Sequence, residues 1–92
     1  MRCVYVCSPI RGNIPENTSK LQAYADYVSN NGRAPVLPFK RERDSKSLIF
    51  ICDEVWVFGS NITDEMVSEI NLAKSINLTV KYVKDSEVIN DE

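Results

Sequence analysis

The chain contains no histidine. That absence removes the commonest general base, the nucleophile systems in which histidine activates serine or cysteine, and most zinc sites. Cysteine is scarce and unpaired: Cys3, Cys7 and Cys52 form an odd set with no CxxC or metal-ligand spacing. Each lies in an apolar stretch, which predicts reduced, mostly buried thiols in a cytoplasmic protein, with Cys7 at the edge of the candidate site described below. No apolar run approaches the ~20 residues of a membrane span, and the short run Val4–Cys7 is too brief for the apolar core of a signal peptide. No basic excess is present either, since the 92 residues carry a formal net charge of −2. Composition therefore argues against a partner such as long nucleic acid or a membrane surface.

What is present alternates. Cys3 to Cys7 is β-branched and aromatic with both faces apolar, as in a central strand of a parallel sheet. Pro15 suits a first helical position, and Leu21, Tyr24, Ala25 and Val28 recur at helical spacing until Asn31-Gly32 stops the run. Ala34 to Phe39 reads as a short second strand, and Pro35 and Pro38 place it at a sheet edge. Asp44 is a candidate N-cap for a short helix through about Cys52, with Leu48, Ile49 and Ile51 partly buried. "EVWVFG" is a third strand, with Trp56 in the core. Thr63 caps a third helix whose apolar stripe includes Met66, Ile70 and Ala73. Leu78 to Lys84 is a fourth strand. One domain over residues 1–84 is expected, with 85–92 a loose polar tail. The β-α-β-α-β-α-β order predicts a small Rossmann-like, flavodoxin-like α/β sandwich of three layers, its four parallel strands in the order 2-1-3-4.

Ligands of such sheets bind beyond the carboxyl ends of the strands where the order reverses, here between strands one and three. Two segments line that crevice: Ser8-Pro9-Ile10-Arg11-Gly12-Asn13 and Gly59-Ser60-Asn61-Ile62-Thr63. Both lead into helix N-termini, which favour anions. Arg11 supplies a planar donor fork and Gly12 a close backbone approach. The alternative for the first segment is a plain turn capped by Asn13. Glu69 sits two turns into helix three at the border of its apolar stripe. There it serves either as a nucleophile or general base under the crevice or as a solvated helix residue.

Two blocks, "VYVCSPIRGN" and "CDEVWVFGSNITDEMVSEINLAK", resemble the nucleoside 2-deoxyribosyltransferase-like superfamily, including the deoxynucleoside monophosphate N-glycosidases. With "APVLPF", the likeness runs to about Tyr82. The resemblance implies that Glu69 is the family's nucleophile, attacking C1′ of a deoxyribose, and that Tyr5 is the tyrosine beside it. It implies that Ser8, Arg11, Gly12 and Asn13 belong to a sugar- and phosphate-binding loop, and that Thr63 contacts phosphate. It also implies a homodimer or higher oligomer; no cofactor is expected. Glu65 and Val67 stand where the family usually has small residues, and the segment from Lys40 to Cys52 is short, with Asp44 or Asp53 as replacement base contacts. The leading expectation is therefore a protein that binds a nucleotide or nucleotide-derived molecule, sensing or sequestering it. An N-glycosidase or deoxyribosyltransferase is the alternative, and a protein-interaction module without ligand is the third.

Overall fold

The computed structural model describes residues 2–9, 15–37, 42–59 and 61–89. The strands are β1 (Cys3–Cys7), β2 (Ala34–Val36), β3 (Glu54–Phe58) and β4 (Thr79–Val83), and the helices are α1 (Pro15–Asn30), α2 (Glu42–Ile49), α3 (Asp64–Ser75) and α4 (Asp85–Ile89). All strand pairs are parallel, in the order β2-β1-β3-β4. This is the architecture expected from the alternation.

Side-chain alternation along the strands divides the core into two layers. On one face, Val4, Val6, Trp56, Phe58 and Val83 pack with Tyr24 and Val28 of α1. On the other, Tyr5, Cys7, Val55 and Val57 pack with Ile49 of α2 and with Met66, Ile70 and Ala73 of α3. Every residue of β3 is buried, and four of the five in β1. These two central strands are the ones written as continuous apolar runs.

Both long helices end where their sequences call for it. After α1, Gly32 takes a φ of 77°, Arg33 N–H donates to the Val28 carbonyl, and Gly32 N–H donates to that of Ser29. After α3, Asn77 takes φ 64°, with Leu78 N–H on the Ala73 carbonyl and Asn77 N–H on Lys74. Both are Schellman closures, and asparagine is the non-glycine residue that best tolerates that left-handed position.

Several expectations are corrected. The second helix spans Glu42–Ile49, two residues before the expected cap at Asp44, and Ile51 beyond it is 70% exposed rather than partly buried. β2 stops at Val36; Pro38 and Phe39 lie outside the described residues. The expected loose tail folds in part: α4 forms, the Tyr24 hydroxyl donates to Asp85 at 2.8 Å, and Lys20 pairs with the same carboxylate at 3.5 Å. That tether lies 61 residues away in sequence, so local pattern carried no sign of it.

Candidate functional site

β1 ends at Cys7 and β3 at Phe58, side by side, and the chain leaves each at the carboxyl edge of the sheet. Beyond β1, Ser8 is fully buried and Pro9 half-buried. Beyond β3, Gly59 adopts φ 87°, and a Cβ there would stand 3.3 Å from Pro9 Cδ. The two segments thus meet closely; the backbone conformation at 59 favours glycine, and a side chain there would press on Pro9. Ile10, Arg11, Gly12, Asn13 and Ser60 lie outside the described residues.

Thr63 performs the capping role expected of it. Its Oγ1 accepts from Met66 N–H at 3.2 Å, and its own N–H reaches Met66 Sδ at 3.5 Å. Capping uses an acceptor lone pair of the hydroxyl, which also carries one donor hydrogen.

α3 then delivers Glu69. Residues 66, 69, 70 and 73 form its buried face, so Glu69 belongs to that face and is not the solvated helix residue that the sequence left open. It is 0% exposed, against Tyr5 and Cys7 of that core layer. The Tyr5 hydroxyl donates to Glu69 Oε2 at 2.8 Å, and Cys7 Sγ approaches Oε1 at 3.4 Å. Cys7 Sγ also lies 4.0 Å from the Met66 carbonyl oxygen. Tyr5 and Cys7 share a face because they are two apart on one strand. A helix and a strand 64 residues apart in sequence therefore build one polar centre, a carboxylate accepting from a phenol and facing a thiol. Such a group is expensive to bury without donors, and these supply them.

The sequence-predicted site residues separate accordingly. Tyr5 and Glu69 are in contact, Ser8, Pro9 and Gly59 form the described rim, and Thr63 caps the adjoining helix. Val67 is 45% exposed and is not among the buried residues of α3. Asp53 is at the opposite end of the sheet, where its carboxylate accepts from Cys3 N–H at 2.8 Å, and it does not reach the crevice.

Two features escaped the sequence. One is Glu54, buried at the amino end of β3. Burial alone would push its carboxyl up, but the Trp56 indole N–H at 3.0 Å, the Arg33 guanidinium at 2.9 Å and Arg2 at 3.8 Å outweigh it and hold the group below the ordinary carboxylate range. An acidic residue inside the apolar run "EVWVFG" was the available signal. The other is a cleft of about 430 Å³ at the carboxyl ends of β3 and β4, lined by Gly59, Tyr82, Lys84, Asp85 and Ser86 among others. Among the described residues no group of His, Cys, Asp and Glu could hold a metal ion, and no helix is long and apolar enough to cross a membrane.

Fold and site together define a small Rossmann-like α/β domain with a buried, hydrogen-bonded carboxylate at its switch point. A family model described as "Domain of unknown function (DUF7768)" matches residues 2–40 and 45–83, and the chain belongs to that family. No curated protein and no solved structure matches the chain.

Proposed function

We propose that this domain binds a nucleoside or nucleotide in the crevice between β1 and β3, with Glu69 as the polar floor of the site. The observation that carries the reading is the fully buried Glu69 carboxylate, held by Tyr5 at 2.8 Å directly under that crevice. A buried carboxylate adds little to stability over an apolar residue of similar volume, so its place in the core calls for a chemical reason. A carboxylate at this depth suits the hydroxyl groups or the anomeric carbon of a sugar. The likeness to the nucleoside 2-deoxyribosyltransferase-like superfamily supplies the rest of the ligand. In this reading the loop containing Arg11 and Gly12 receives its phosphate, and the protein is a cytoplasmic homo-oligomer that senses or sequesters the molecule.

Denaturing purified protein and searching the supernatant by mass spectrometry tests this, followed by calorimetry with the ligand found. The expected result is a nucleotide-type molecule that binds wild type and binds Glu69→Gln at least tenfold more weakly. No ligand from either approach would favour a protein-interaction module instead.

The Tyr5–Glu69 hydrogen bond also favours a second, catalytic reading. There, a Glu69 oxygen forms a bond to C1′ as the C1′–N bond breaks, and the electron pair leaves with the base, which takes a proton from water. The hydroxide this leaves, or the nitrogen of a second base that gives its proton to that hydroxide, then attacks C1′; the C1′–O bond to Glu69 breaks and the carboxylate is restored. Release of free base from deoxynucleosides or their monophosphates, abolished in Glu69→Gln, would establish turnover.

A further inference from the structure

We propose that the cleft at the carboxyl ends of β3 and β4 is the base subsite of the ligand, with Tyr82 as the ring on which the nucleobase stacks. The inference rests on the reading that the sugar of a nucleoside or nucleotide lies over Glu69.

The cleft continues the crevice along the sheet. Its volume of about 430 Å³ falls within the roughly 300–1,000 Å³ of small-molecule sites. Gly59 lines it and also stands against Pro9 at the rim of the crevice, so one residue borders both spaces. Strand register gives the direction. Cys7 pairs with Val57, and Val57 pairs with Tyr82, so the three form one row across β1, β3 and β4. They share a face: Cys7 and Val57 belong to the layer under α3, and Val80, two residues before Tyr82, packs against that layer. The row starts at the carboxylate, since Cys7 Sγ lies 3.4 Å from Glu69 Oε1. Two strand spacings put Tyr82 about 10 Å from Cys7. A nucleoside needs a span of that order to set its sugar over one and its base over the other.

The lining suits a base. Val57, Val83 and Tyr82 are apolar or aromatic, whereas Lys84 and Ser86 bring a cation and a hydroxyl. A nucleobase is divided in the same way, with apolar faces and hydrogen-bonding edges. Tyr82 is 59% exposed on the edge strand β4, and aromatic rings stack with any base. The far wall is fixed in advance. Asp85, which also lines the cleft, accepts from the Tyr24 hydroxyl at 2.8 Å and pairs with Lys20 at 3.5 Å. This tether to α1 leaves less to order when a ligand arrives. Asp53, the base contact suggested by the sequence, lies at the opposite end of the sheet, and Tyr82 takes that role from the β4 edge.

The experiment is calorimetric titration of wild type, Tyr82→Ala, Tyr82→Phe and Glu69→Gln with the four 2′-deoxynucleoside 5′-monophosphates. 2-Deoxyribose 5-phosphate, which carries no base, is titrated beside them. Loss of one stacked base should weaken the monophosphates about tenfold or more in Tyr82→Ala. Tyr82→Phe keeps the ring and should stay within about threefold of wild type. The base-free sugar phosphate should not distinguish wild type from Tyr82→Ala. Tyr82→Ala binding the monophosphates like wild type, while Glu69→Gln binds them weakly, overturns the proposal and leaves the site over Glu69 standing. Tyr82→Phe as weak as Tyr82→Ala, or equal weakening of the base-free sugar phosphate, also overturns it, because stacking is then not the cause. Glu69→Gln binding like wild type, or no monophosphate binding wild type, refutes the underlying reading and the proposal with it. If Tyr82→Ala fails to fold, nuclear Overhauser contacts in wild type decide. Contacts between base protons and the Tyr82 ring are expected, and base contacts that leave out Tyr82 overturn the proposal.

Discussion

Replacing Tyr5 by phenylalanine removes the hydroxyl that donates to Glu69. The ring stays, so apolar burial on the α3 face is unchanged; only the hydroxyl that donates to Oε2 at 2.8 Å is lost. Hydrogen bonds to charged groups contribute about 1.5–3 kcal/mol, and removing one partner leaves the other short of a donor in the interior. Glu69 is fully buried but also faces Cys7, so the expected cost is about 2 kcal/mol. In a domain of this size that lowers Tm by roughly 10 °C. Urea unfolding followed by Trp56 fluorescence should show a lower midpoint with unchanged slope. The double variant Tyr5→Phe/Glu69→Leu should lose less than the sum of the single variants, because both single losses include the same Tyr5–Glu69 hydrogen bond. Tyr5→Phe within 0.5 kcal/mol of wild type, roughly the limit for independent surface changes, would refute the reasoning. A double variant whose loss is the sum of the single ones would refute it too.

Glu54 sets an acid limit. Its carboxyl is held below the ordinary range in the folded state, so its contribution is present at neutral pH and lost as pH falls through that lowered value. Urea midpoints across acidic pH should fall for wild type and fall less steeply for Glu54→Gln, which should also be weaker at neutral pH. Gly59→Ala places a Cβ 3.3 Å from Pro9 Cδ at φ 87° and should cost about 1–3 kcal/mol in a melting experiment. Burial, with Cys3 and Asp53 nearby, pushes the Cys52 thiol up to about 11, so iodoacetamide at pH 8 should label Cys52 slowly in the native protein and readily after unfolding, read by peptide mass spectrometry. Tyr24→Phe removes the tether to Asp85, and hydrogen exchange should then quicken in α4 while β1 and β3 keep their protection.

The parallel sheet and its order were legible because β1 and β3 are short apolar runs bounded by turn residues, with helix-period segments between them. Helix ends were legible wherever a cap carries a chemical marker, as at Thr63 and Gly32. Glu69 was legible as a border residue; its full burial was not, because that depends on Tyr5 and Cys7 arriving from a distant strand. Cys7 was legible as a strand-end residue beside the site, but its contact with Glu69 was not, because a cysteine in an apolar strand reads as core whether or not it faces a carboxylate. α4 and the Glu54 cluster rest on long-range contacts, from Tyr24 and Lys20 to Asp85 and from Arg33 and Arg2 to Glu54. Periodicity carries no information about such pairs. Ile51 was misjudged because the helix ends before it, and helical spacing no longer governs which way its side chain faces.

The central claim is that a nucleoside or nucleotide binds over Glu69, and backbone amide chemical-shift mapping with the 2′-deoxynucleoside 5′-monophosphates tests it most directly. The account predicts concentration-dependent shifts clustered at Ser8, Gly59, Thr63 and Glu69, and their loss in Glu69→Gln. Shifts confined to the amino end of the sheet around Asp53, or no shifts at millimolar nucleotide, would contradict it.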